Sequence, residues 1–291
     1  MTLTSSWGSL VAHVQGEPEW VSTKDGRRLY AMVLPGPGSG PTVVFEAGAG
    51  AGRSSWGLVQ PLVGEFARAV VYDRSGLGRS APDPSGRTLD RMADDLVDLL
   101  DHFGPGPYVL VGHSAGGPIV RLAASRTAAK IAGLVLVDPT DEAADVLFSP
   151  RFRSAERAFL RTGRVLAATG LLKFLYRPML RAAPEDVRRD LVREGFTPQV
   201  LRTQTEQART FLDELAAWRT NPPAPGDFPV TIVSGGRAGD GMNAAVRAEA
   251  NAAHAQRVSP RGRHRIAEKS GHLVPVTEPE VVADEIRRML S

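Results

Sequence analysis

The stretch Tyr108-Val-Leu-Val-Gly-His-Ser-Ala-Gly-Gly-Pro-Ile-Val-Arg-Leu-Ala-Ala124 decides how this chain is read. A run of β-forming residues ends in Gly112-His-Ser-Ala-Gly116 and passes directly into residues with helical spacing. A strand, sharp turn and helix in that order put Ser114 at the tip of the turn, with its hydroxyl projecting from the carboxyl end of a sheet. Glycines two residues to either side let the strand and helix backbones approach closely. The N–H groups that open the helix point the same way and favour negative charge there. A serine that merely caps a helix would share part of this pattern; the strand before it and the helix after it favour a nucleophile.

Outward from this stretch, Thr42–Glu46, Ala69–Asp73 and Gly133–Asp138 read as buried strands, and residues 56–66 and 90–101 as helices. Strands alternating with helices at this rhythm make a mostly parallel sheet covered on both faces. Upstream, Glu19–Ser22 and Arg28–Val33 flank the turn Lys24-Asp25-Gly26 as an antiparallel hairpin. From about 141 to 225 the pattern is helical without an obvious strand, and Val230–Ser234 then resumes the strand series. Helices inserted there would sit over the carboxyl ends of the strands as a cap. The expected organisation is therefore a core of residues 1–140 and 226–291 with a helical cap at 141–225. Ligands of such sheets bind beyond the carboxyl ends of the strands, where Ser114 and Asp138 both fall.

Composition sets bounds. The chain has 291 residues, 42% of them hydrophobic, which suits one large core with room for an insertion. It has no cysteine, which excludes disulfides and thiolate metal sites. No run of 18 apolar residues occurs, and residues 1–10 lack a basic segment followed by an apolar core, so a soluble cytoplasmic protein with no membrane partner is expected. The net charge of +3 is small and most of it falls in the helical region, a balance that fits solvated helix faces better than a nucleic-acid surface. There is no His-Glu-x-x-His, and the glycine loop at 48–52 lacks the Lys-Ser/Thr of a phosphate loop, so neither metal nor cofactor is expected.

Three motifs in fixed order resemble the α/β-hydrolase fold family: Gly112-His-Ser-Ala-Gly-Gly117, Tyr72-Asp-Arg-Ser-Gly-Leu-Gly-Arg-Ser80, and Ser270-Gly-His272 just before the last helix. The resemblance covers nearly the whole chain beyond the first fifteen or so residues. It implies an α/β fold with a mostly parallel eight-stranded sheet, helices on both faces and a helical cap inserted after strand 6. It also implies the chain order nucleophile, acid, histidine.

The chemistry needs these residue types. A serine hydroxyl attacks only once an imidazole takes its proton, and a carboxylate must fix that imidazole's tautomer. Position makes His272 the base. His113 is expected on the other face of its strand as a packing residue. Two carboxylates compete for the acid: Asp138 at the end of strand 6 and Asp240 after strand 7, with Asp138 favoured and Asp141 a distant third. Two backbone donors, from Ala115 and by resemblance Ala49, would hold the oxyanion. The family's common His-Gly pair in the second loop is here Ala47-Gly48, so another group must steady it. A serine at the elbow also sets the chain apart from the family's haloalkane dehalogenases and epoxide hydrolases, which use an aspartate there.

These readings imply a cofactor-independent serine hydrolase, carboxylesterase-like, that cleaves a small carboxylic ester, lactone or related acyl compound. Acyltransfer, carbon–carbon bond hydrolysis on the same site, or a non-catalytic small-molecule receptor of the same fold are the alternatives. Leu147, Phe148, Phe152, Phe159, Leu172, Phe174, Leu175 and Tyr176 point to a substrate with an apolar portion, although ordinary helix packing accounts for most such residues.

Overall fold

Eight strands, β1 (Glu17–Ser22), β2 (Arg28–Leu34), β3 (Thr42–Glu46), β4 (Ala69–Tyr72), β5 (Tyr108–His113), β6 (Ile131–Val137), β7 (Val230–Gly235) and β8 (His264–Ala267), join in one sheet. Their order is β1-β2-β4-β3-β5-β6-β7-β8. The β1–β2 and β2–β4 pairs are antiparallel and the rest are parallel. The structure, a computed structural model, describes residues 12–224, 226–239 and 242–291. Helices α1 (Val59–Gly64), α2 (Leu89–Phe103) and α3 (Gly116–Arg126) precede β6. Between β6 and β7 run α4 (Pro150–Ala168), α5 (Leu172–Leu175), α6 (Arg177–Ala182), α7 (Glu185–Asp190), α8 (Pro198–Gln207) and α9 (Phe211–Ala217). The chain closes with α10 (Ala244–Gln256), α11 (Val274–Thr277) and α12 (Pro279–Leu290).

The central strands are apolar on both faces because both faces are covered. Alternate residues of β5 part accordingly. Leu110 packs with Val44 and Leu136 against Leu96 and Leu100 of α2 and Ile119 of α3. Val109 and Val111 pack with Val43 and Phe45 against Val63 of α1 and Ile286 of α12. Side-chain caps fix helix starts: the hydroxyl of Thr88 accepts from the Arg91 N–H at the head of α2, and that of Ser149 accepts from the Phe152 N–H at the head of α4, both at 3.2 Å.

Residues 198–217 form two helices, α8 and α9, rather than one. Their burial explains the break. Val200 and Leu201 of α8 pack with Leu77, Leu160 and Leu172, whereas Phe211, Leu212 and Leu215 of α9 join the core on the sheet. One straight helix has a single apolar stripe and cannot face both.

Candidate active site

Ser114 follows directly on β5, and its φ of 54° is left-handed backbone that non-glycine residues seldom adopt. Asp138, the first residue after β6, has φ 42°, and these are the two non-glycine residues with positive φ among the described residues. Backbone strain of this kind concentrates at functional sites, where surrounding structure holds it in place. The glycines around Ser114 are needed for space. A Cβ on Gly112 would lie 2.6 Å from the carbonyl oxygen of Gly116, and one on Gly116 would lie 2.5 Å from that of Glu46.

The strained turns bring distant residues together. The Ser114 Oγ is 2.9 Å from Nε2 of His272, which stands between β8 and α11, and Nδ1 of His272 is 2.6 Å from Oδ2 of Asp138. Asp138 is also held from behind. Its Oδ1 accepts from the Gly235 N–H at 3.0 Å and from Nη1 of Arg247 on α10 at 2.5 Å. Burial pushes the Asp138 carboxyl up, but the hydrogen bond and charge of His272, the charge of His254 and the hydrogen bond from Arg247 outweigh it and hold it well below the usual carboxylate range. Asp141 is engaged elsewhere, with Arg257 at 2.7 and 3.0 Å. Asp240 lies outside the described residues.

His113 does more than the packing expected of it. It is buried against Trp56, with its ring centroid 4.8 Å from that of His272, and it lines the same cavity as Ser114. Its Nε2 is 2.9 Å from the backbone oxygen of His272. Burial, with the adjacent His272 second, pushes its pKa down to about 4, so at neutral pH the ring is uncharged and Nε2–H can donate to that oxygen. This contact ties the loop carrying His272 to the strand carrying Ser114. Strand alternation still holds: His113, the last residue of β5, continues the face of Val109 and Val111 and meets Trp56 there, and at the strand's end that face also borders the loop carrying His272.

The backbone N–H groups of Ala49 and Ala115 make no hydrogen bond among the described residues. Gly48, beside Ala49, passes so close to the turn that a Cβ there would sit 3.2 Å from Cβ of Ser114. The loop is steadied by Arg74, which the sequence reading did not single out. Its guanidinium bonds the backbone oxygens of Ala47 at 2.5 Å and Gly48 at 2.6 Å and pairs with the buried carboxylate of Glu46, which also accepts the Tyr72 hydroxyl. The Tyr72-Asp-Arg motif and Glu46 thus supply the replacement for the missing histidine.

A cavity of about 320 Å³ opens over Ser114. Gly48 to Gly52 form one wall, and Phe159, Leu172, Tyr176, Phe196 and Leu201 from the segment between β6 and β7 form another. None of its lining side chains is an aspartate, glutamate, lysine or arginine. Of the apolar residues anticipated at the site, Phe159, Leu172 and Tyr176 line it, Phe148 and Phe152 pack on the core, and Phe174 and Leu175 are exposed. Leu147 packs on the core too and lines a small separate cavity behind Asp138.

A serine on a strand-to-helix turn, facing a histidine after the last strand, over an eight-stranded mostly parallel sheet, defines an α/β-hydrolase architecture. Residues 43–285 match the profile described as Alpha/beta hydrolase family, and the chain belongs to that family. It is 35% identical over 118 residues to an uncharacterised protein, YqjL, of Bacillus subtilis (strain 168), covering 40% of this chain and 46% of YqjL. It is 43% identical over 100 residues to a candidate carbamate hydrolase, RutD, of Caulobacter sp. (strain K31), covering 33% of this chain and 35% of RutD. The chain thus matches less than half the length of either relative. Among solved structures, the epoxide hydrolase CorEH superposes with a TM-score of 0.73 at 20% identity over 94% of this chain and 98% of that one. An N-formylmaleamic acid deformylase from Pseudomonas putida S16 does so with a TM-score of 0.64 at 21% identity over 92% of this chain and all of that one. At these identities the structural likeness speaks for the fold alone.

Proposed function

We propose that the protein is a cofactor-independent serine hydrolase acting on a neutral carboxylic ester, lactone or related acyl compound. The observation that carries this reading is the unbroken chain from the Ser114 hydroxyl through both nitrogens of His272 to Asp138, at 2.9 and 2.6 Å. In this mechanism His272 takes the hydroxyl proton as Ser114 attacks the acyl carbon, and Asp138 orients the ring and stabilises the imidazolium. The oxyanion is held by the N–H groups of Ala49 and Ala115, each worth on the order of 3 kcal/mol when one is removed. His272 then gives its proton to the departing alcohol oxygen, leaving an acyl-serine. Water, activated by the same histidine, releases the acid and restores the serine.

The helices at 141–225 serve in this reading as a cap that shapes the pocket. The cavity's lining, which holds no aspartate, glutamate, lysine or arginine, supports a neutral substrate. A serine at the position of attack also separates the chemistry from that of an aspartate-nucleophile epoxide hydrolase.

The test is labelling with a fluorophosphonate probe together with hydrolysis of p-nitrophenyl esters of increasing chain length. Wild type should label and turn over, with an optimum chain length that sizes the cavity, and Ser114→Ala should do neither. Folded wild type that resists the probe and hydrolyses none of the esters would refute the reading and favour a receptor of the same fold.

A further inference from the structure

Between Pro150 and Ala183 the single acidic residue, Glu156, stands amid eight arginines and lysines, whereas the whole chain carries a net charge of only +3. Elsewhere about half of the arginines form ion pairs among the described residues, as Arg27 does with Asp95 and Arg121 with Glu142. In this segment Arg153 alone forms an ion pair, with Asp213 at 2.6 Å, and the others form none among the described residues. The same segment holds five of the seven most exposed large apolar side chains among the described residues: Phe159, Val165, Leu171, Phe174 and Leu175, between 44% and 64% exposed. Single exposed apolar residues are ordinary, but a concentration of them marks an interaction surface.

We propose that α4 to α6 form a docking face for a bilayer containing anionic phospholipid. Basic side chains interleaved with exposed Phe and Leu on surface helices are the pattern of interfacial binding, in which apolar groups enter the headgroup boundary and cations meet the lipid charge. Lys173 and Arg177 lie over the Phe174 ring, at 5.6 and 5.0 Å from its centroid, so the apolar group and the cations occupy one spot. No helix among the described residues is long and apolar enough to cross a membrane, so the contact is peripheral. The face is continuous with the cavity over Ser114, since Phe159, Leu172, Tyr176 and Met179 of the same segment line it. A neutral, lipid-dissolved ester would enter from the bilayer side. That last step rests on the serine-hydrolase reading; the docking does not.

The experiment is co-sedimentation of the full chain with vesicles of phosphatidylcholine alone or mixed with phosphatidylserine. Wild type should bind the mixed vesicles at least tenfold more tightly, and raised salt should weaken that binding. Phe174→Ser with Leu175→Ser, and separately Arg161→Glu with Arg164→Glu, should each reduce binding at least tenfold. Both pairs lie outside the cavity lining, so thermal unfolding and hydrolysis of a short soluble ester should stay as in wild type. Equal affinity for both vesicle types, no binding to either, or undiminished binding by both folded variants would overturn the proposal. So would retention by an acidic protein without vesicle binding. Vesicle binding by a wild type that hydrolyses no ester would leave the docking face standing and refute only the hydrolase reading.

Discussion

Arg247 lies 2.5 Å from one oxygen of Asp138 while His272 holds the other, so the carboxylate divides its charge between them. Arg247→Met removes one of the two donors that fix Oδ1 of Asp138 and should lower kcat on a neutral ester by about tenfold, because the carboxylate that orients His272 is held less firmly. Asp138→Asn should cost about ten-thousandfold in turnover with little change in fold, because the ring loses its oriented tautomer. His113 gives a stability prediction. Folded, it resists protonation until about pH 4 because of burial and then His272; the unfolded chain takes the proton near about 6.5. Its contribution is present above the higher value and is lost as pH falls towards the lower. The denaturant midpoint should drop across that window, and His113→Gln should flatten the drop. Ser114 and His272 were legible because local motifs carry them. Arg74, Arg247 and the tie from His113 were not, because each depends on a partner far away in the chain, and an arginine carries no mark of the carboxylate it will meet.

At the scale of elements, one buried arginine connects the sheet's loops to the helices above them. Arg53 bonds Asp73 through its backbone N–H at 2.9 Å and its Nη1 at 2.5 Å, and it reaches Asp190 at the end of α7 and Glu194 beyond it, both at 2.6 Å. Asp73 is completely buried, and removing its partner strands a charge, which costs about 3–5 kcal/mol. Arg53→Met should lower stability by about that amount in urea unfolding. It should also raise KM for long-chain esters more than it lowers kcat, because the upper wall of the cavity loses its anchor. Strands were the most legible elements, since β3 and β5 are largely apolar runs entered from a proline and β6 is one that ends at an aspartate. The helices above the sheet were read less well: the break between α8 and α9 follows from which of two apolar clusters each half meets, and that is a tertiary fact.

At the scale of the whole molecule, charge is divided between an electrically quiet cavity and a basic outer face. A cavity with no aspartate, glutamate, lysine or arginine in its lining should select on substrate charge. p-Nitrophenyl butyrate should exceed p-nitrophenyl hemisuccinate by at least about tenfold in kcat/KM, since a carboxylate buried without a partner costs several kcal/mol; comparable rates would mean that the acyl group stays in water. The sequence places most of the net charge in the helical region, but the uncharged cavity lining is drawn from residues scattered between Gly48 and Val276 and has no local signature. The reacting groups are also widely separated along the chain, with Ser114 and His272 158 residues apart. Translation runs at about 5–20 residues per second, so on the ribosome Ser114 emerges roughly eight to thirty seconds before His272. On the proposed mechanism a nascent chain can fold its elbow and still be inert, with no working nucleophile until β8 and the loop behind it have been made.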